Sequence, residues 1–116
     1  MKATITHEKN VYTFEFRAPR IFEETEFWAK FDEFDKLDTK QKADAEFEHL
    51  VTTIAEWSTQ PVKVVPVDGG SEVTIKGDPG ESVRKFFNNL DVGNAERIAQ
   101  GLMLTMRERL QPNVVF

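Results

Sequence analysis

The sequence predicts an α+β domain with an N-terminal β-hairpin, an antiparallel helix pair, a second short hairpin and two C-terminal helices. Three observations predict it. Apolar residues alternate with polar ones in short runs near the start. They recur at helical spacing in longer stretches that follow. Asn, Asp-Gly and Pro signals punctuate the runs.

Ala3-Thr-Ile-Thr-His7 and Val11-Tyr-Thr-Phe-Glu-Phe-Arg17 both alternate. Tyr12, Phe14 and Phe16 share one face, as a strand covered on one side requires. Glu8-Lys9-Asn10 lies between the runs, with Asn10 available for positive φ, so the two pair as a hairpin. Pro19 ends the second strand, because the residue before proline is held extended.

Over 21–37 the period changes. Phe27, Phe31 and Phe34 fall at i, i+4, i+7, with Trp28 beside them, Leu37 extending the stripe and mostly charged residues elsewhere. This is an amphipathic helix whose early glutamates complement its dipole. Asp38 offers an N-cap for a second helix with the stripe Ala43, Phe47, Leu50, Val51, Ile54 and Trp57. The short connection makes the two helices antiparallel neighbours.

Val62–Val67 and Ser71–Lys76 flank Asp68-Gly69-Gly70, the signal for a second hairpin. Pro66 predicts that the first of these strands is a sheet edge or a loop. Asp78-Pro79-Gly80-Glu81 starts a third helix, with Asp at the N-cap and Pro at N1. Its apolar side is Val83, Phe86, Phe87 and Leu90. Asp91 caps a last helix running to about Leu110, and Pro112 stops it, leaving a short tail over 113–116. The centre of that helix, Ile98 to Met106, is apolar nearly all round, which predicts a central place in the core or a partner on a second face. Gly101 in its interior predicts close approach by another helix.

The chain has 116 residues and reads as one domain over 1–116. Ten of its thirteen aromatics are Phe, so the core is expected to be built on phenylalanine. With no cysteine, disulfides and thiol chemistry are excluded. The start lacks an apolar signal-peptide region, no run approaches the length of a membrane span and no Asn-x-Ser/Thr sequon occurs, so a reducing cytoplasm is expected. The net charge of −5 lies entirely in residues 1–57, which argues against a nucleic-acid ligand.

Searching for chemistry yields no catalytic, cofactor or metal site. His7 and His49 are 42 residues apart and belong to no metal-binding motif. Asp32 and Asp35 share a helix face, but among so many acids they read as solvated. Gly69-Gly70 and Gly77-Asp-Pro-Gly80 have the wrong sequence for phosphate loops and read as turns. Arg84-Lys85 and Arg107/Arg109 are too few for a nucleic-acid footprint. What remains is surplus apolar surface. Trp57, Phe87, Leu102, Leu104 and Met106 are the candidate protein-binding residues, for a partner helix or self-association, and Phe86 and Phe116 are also large for so small a domain.

Strand Tyr12-Thr-Phe-Glu-Phe-Arg-Ala-Pro19, an acidic Phe-rich helix, a second helix ending Ile54-Ala-Glu-Trp57, then Glu81-Ser-Val-Arg-Lys-Phe-Phe-Asn-Asn-Leu90 and a final helix together resemble the tail assembly chaperones of long-tailed bacteriophages. The resemblance covers most of the chain in order and size. It implies a non-enzymatic role in the host cytoplasm: shielding an apolar tape-measure protein while tail-tube subunits polymerise, with self-association through apolar helix surface. From the composition and the empty site search, no cofactor and no membrane or nucleic-acid partner is expected. A second reading is a small acidic regulatory or inhibitory binder, a DNA mimic or antitoxin-like domain, acting through Glu23, Glu24, Asp32 and Glu33. A third is an enzyme of unfamiliar type.

Overall fold

The computed structural model describes the backbone of residues 2–110 and the side chains of residues 2–105. Its elements are β1 (Lys2–His7), β2 (Asn10–Glu15), α1 (Ile21–Phe34), α2 (Thr39–Trp57), β3 (Lys63–Pro66), β4 (Val73–Thr74), α3 (Pro79–Asn88) and α4 (Val92–Leu110). The fold is α+β: both hairpins join one antiparallel sheet of order β1-β2-β3-β4, and the helices complete the domain. Pro112 and the tail over 113–116 lie outside the described residues.

His7 pairs with Asn10 across the first turn, which leaves Glu8 and Lys9 as the two turn residues. Both adopt positive φ, 46° and 66°, as the favoured two-residue hairpin turn demands. The sequence pointed to Asn10 for this conformation; the register places Asn10 in the strand instead. The turn is therefore built from two residues that pay a steric penalty there. On the sheet's inner face Ala3 opposes Phe14 and Ile5 opposes Tyr12.

The expectation that Pro66 makes its strand an edge is corrected by the topology, because β3 lies between β2 and β4. Proline is tolerated for a local reason. Ile75 N–H donates to the Val62 carbonyl (2.9 Å) on the β4 side, and Val67 N–H donates to the Lys9 carbonyl (2.9 Å) on the β2 side. By the alternation of backbone groups, Pro66 faces β4. That strand starts only at Val73, paired with Val64, so no ladder donor is lost at Pro66.

The helix pair enters and leaves the sheet at one place. Arg17 N–H donates to the Trp57 carbonyl and Thr59 N–H to the Glu15 carbonyl, each at 2.9 Å. Phe27 at the middle of α1 lies against Trp57 at the end of α2, while Phe34 at the end of α1 reaches back to His49, two turns earlier in α2, so the two helices are antiparallel. Helix α1 stops at Phe34, short of the expected Leu37, whose N–H closes a turn onto the Phe34 carbonyl (3.0 Å). Asp38 caps α2 by accepting from Gln41 N–H at 2.8 Å. Ala43, assigned to the apolar stripe, is exposed; the buried stretch of α2 begins at Leu50, with Phe47 half-buried.

Asp78 caps α3 through Glu81 N–H (2.9 Å). Gly77 before it has φ +125°, and a Cβ there would meet the Glu81 Cβ at 2.8 Å, so this position requires glycine. Phe86 of α3 packs on Tyr12 and Phe14 of the sheet, with ring centroids 4.8 and 5.1 Å apart, and Phe87 faces Phe47 of α2. Burying a side chain of this size stabilises by about 1.5–3 kcal/mol. Ser82 completes the join. Its Oγ accepts from Val62 N–H and donates to the Ile75 carbonyl, both at 2.8 Å. Beside the direct Ile75–Val62 bond, the hydroxyl relays the second bond of that strand pair.

Helix α4 packs on α2 and β1 through Ala95, Ala99, Leu102 and Met103. The close helix approach expected at Gly101 does not occur: this residue is exposed, and a Cβ on it would meet nothing within 4 Å among the described residues.

Candidate functional site

Helices α1 and α4 both lean on α2 and leave a groove between them. Trp28 and Phe31 of α1 form one wall, Gln100, Met103 and Leu104 of α4 form the other, and Leu50 with Phe27 lies beneath them. Glu46 adds a carboxylate to the lining, and the cleft encloses about 280 Å³. Its size suits large side chains of an inserted helix, between the helices of a bundle where ligand clefts commonly form.

The groove's two apolar rims are open to solvent. Trp28 is 40% exposed and Leu104 56% exposed, against 3% for Phe27 and 7% for Met103 directly below. Trp28 meets Phe27 edge-on at 4.9 Å and Phe31 at 5.9 Å, so its ring is held as a wall. Leu104 stands one residue beyond the buried pair Leu102 and Met103, on the flank of α4 that turns away from the core.

The five candidate binding residues are thus separated by the structure. Leu104 lines the groove. Trp57, Phe87 and Leu102 are 3%, 3% and 1% exposed and build the core. Trp57 packs against Phe27, and Phe87 sits between Phe86 and Phe47. The side chain of Met106 lies outside the described residues, as do those of Arg107, Arg109 and Phe116. Trp28, Phe31 and Met103 are lining residues, like Phe27, Glu46, Leu50 and Gln100, to which sequence reasoning gave no binding role. One signal was present for Trp28: it flanks the Phe27/Phe31/Phe34 stripe without belonging to it.

His49 sits behind the groove, where its Nε2 lies 2.9 Å from the Phe27 carbonyl. A carbonyl only accepts, so Nε2 carries the proton there. His7 is elsewhere, on the hairpin, with Nε2 3.8 Å from Glu8. The carboxylates of α1 and α2 have local partners. Asp35 receives Lys42 at 2.7 Å, which raises the Lys42 pKa, and so the pair Asp32/Asp35 is no isolated diad. Glu23 accepts from both Arg17 (2.6 Å) and the Arg20 N–H (2.9 Å), and these bonds lower its pKa from 4.5 to about 2. Arg84 binds Glu48 and Thr52 on α2, and Lys85 reaches the Lys76 carbonyl, so both bases serve the fold. Among the described residues no three His, Asp or Glu side chains converge to hold a metal ion, and no helix is long and apolar enough to cross a membrane.

No family model, curated protein or solved structure matches this chain.

Proposed function

We propose that this protein is a non-enzymatic binder of apolar helices, acting in the manner of a phage tail assembly chaperone on a tape-measure protein in the cytoplasm of the host. The observation that carries the reading is the groove itself, with Trp28 and Leu104 exposed on its rims above an apolar floor. Large apolar side chains displayed together on a small domain favour a protein partner, and a groove between helices favours a helical one. The layout of hairpin, acidic helix pair and apolar last helix supports the chaperone assignment.

The rival reading, an acidic mimic acting through Glu23, Glu24, Asp32 and Glu33, draws less support. Glu23 is engaged by Arg17 and Glu33 by Lys30, so half of that face is answered within the chain.

Co-expression with the tape-measure protein of the same genome tests the proposal. A stable complex is expected from the wild-type chain, and its loss from Trp28→Glu/Leu104→Glu, whose exposed sites leave the fold intact by circular dichroism. No complex with the wild-type chain would overturn it.

A further inference from the structure

We propose that the helix taken up by this groove carries lysine or arginine on both sides of its apolar stripe, an inference that rests on the groove being a docking site. The argument is electrostatic. Glu46 lines the cleft directly, and Glu96 joins it where the space between α2 and α4 continues past Ala43, Phe47 and Gln100. On α1, Glu24 and Asp32 stand one turn before and one turn after Trp28, on the same helical face. Neither of these, nor Glu96, has an ion-pair partner among the described residues. Opposing them are Lys42, already bound by Asp35 at 2.7 Å and near Glu46 at 4.0 Å, Arg97 on α4, and Arg20 and Lys36 just beyond the two ends of α1 and so farther from Trp28 than Glu24 and Asp32. Acids therefore flank the apolar strip along both walls. An incoming acidic helix would meet like charge at each rim, whereas a basic one gains a cation for each unanswered carboxylate.

The pairing is one of rims, not of the floor. Exposed ion pairs are individually weak, so the discrimination comes from several acting together and is screened by salt. This separates it from the contribution of Trp28, Leu50, Met103 and Leu104, which is apolar and survives salt.

The test uses the whole chain and two synthetic helical peptides with the same leucine stripe, one flanked by lysines and the other by glutamates, titrated by calorimetry. The lysine peptide is expected to bind at least about tenfold more tightly at 0.05 M salt, with the gap closing by 1 M. Asp32→Lys/Glu96→Lys is expected to abolish the preference. Glu26→Lys/Asp68→Lys, which makes the same change in net charge away from the groove, is expected to keep most of it. Equal binding of the two peptides, or equal effects of the two double variants, overturns the proposal while leaving a docking groove in place. Binding of neither peptide overturns both. The salt series on the unaltered chain decides the matter even if a variant fails to fold.

Discussion

The imidazole of His49 on α2 donates from Nε2 to the carbonyl of Phe27 on α1 at 2.9 Å, and the two rings stack 4.8 Å apart at 21°. Phe31 and Phe34 close on the same imidazole edge-on, at 5.4 and 5.8 Å. One side chain thus gathers the whole aromatic stripe of α1. His49→Ala is expected to cost about 2 kcal/mol, and His49→Phe, which keeps a ring but not the donor, about half of that. Urea denaturation measures both. Amide exchange should quicken in α1 more than in the sheet.

Ser82→Ala removes a hydroxyl that is fully enclosed and serves two backbone groups at once. The Val62 N–H would lose its acceptor inside the protein. The expected loss is about 2 kcal/mol, above the typical figure for one exposed hydrogen bond. Thermal denaturation of the variant checks this.

Glu23 links stability to acid. Its folded pKa of about 2 lies below the ordinary 4.5, chiefly because Arg17 and the Arg20 N–H bond its charged form. The unfolded chain therefore takes up the proton first as pH falls. The contribution is complete above about pH 4.5, declines as pH falls and is gone below about 2. Glu23→Gln should be less stable than wild type at pH 6, and the difference should shrink toward pH 2. A pH series of denaturant midpoints measures it.

Lys9→Gly should stabilise the protein. Lys9 has φ 66°, where a side chain is strained and glycine is not. The expected gain is about 0.5–1 kcal/mol, read as a rise in melting temperature of a few degrees.

Gly101→Ala should stabilise for the opposite reason. The residue is inside α4, and the added methyl meets nothing within 4 Å among the described residues. Alanine is favoured over glycine there by about 1 kcal/mol, measurable by the same melting experiment. Neither substitution touches the groove lining.

Features set by neighbours in the chain were legible in the sequence. Asp38 and Asp78 cap α2 and α3, as their positions before apolar stripes indicated. Hairpin alternation and the Asp68-Gly69-Gly70 turn were equally local. What escaped depends on elements far apart in the chain. Ser82 reads as a polar residue near the start of a helix, and only the second hairpin laid beside α3 gives it two partners. Trp57, Phe87 and Leu102 looked like surplus because the interior formed by the sheet and four helices cannot be measured from any one stripe. The groove has the same origin: Trp28 and Leu104 are 76 residues apart and become its walls only because α1 and α4 share α2. Pro66 was misplaced because proline forbids a donor on one flank of a strand, not membership of the interior.

The Phe16–Ser58 bridge, flanked by the Arg17–Trp57 and Glu15–Thr59 bonds, acts as a gate through which the whole excursion of α1 and α2 leaves the sheet and returns. β2 cannot zip onto β3 until the forty-odd intervening residues bring their ends together, a closure whose entropic cost rises with contour length. Docking of α1 on α2 shortens that contour beforehand. Substitutions that loosen the contact between α1 and α2 are therefore expected to slow the pairing of β2 with β3, although neither helix contributes a strand.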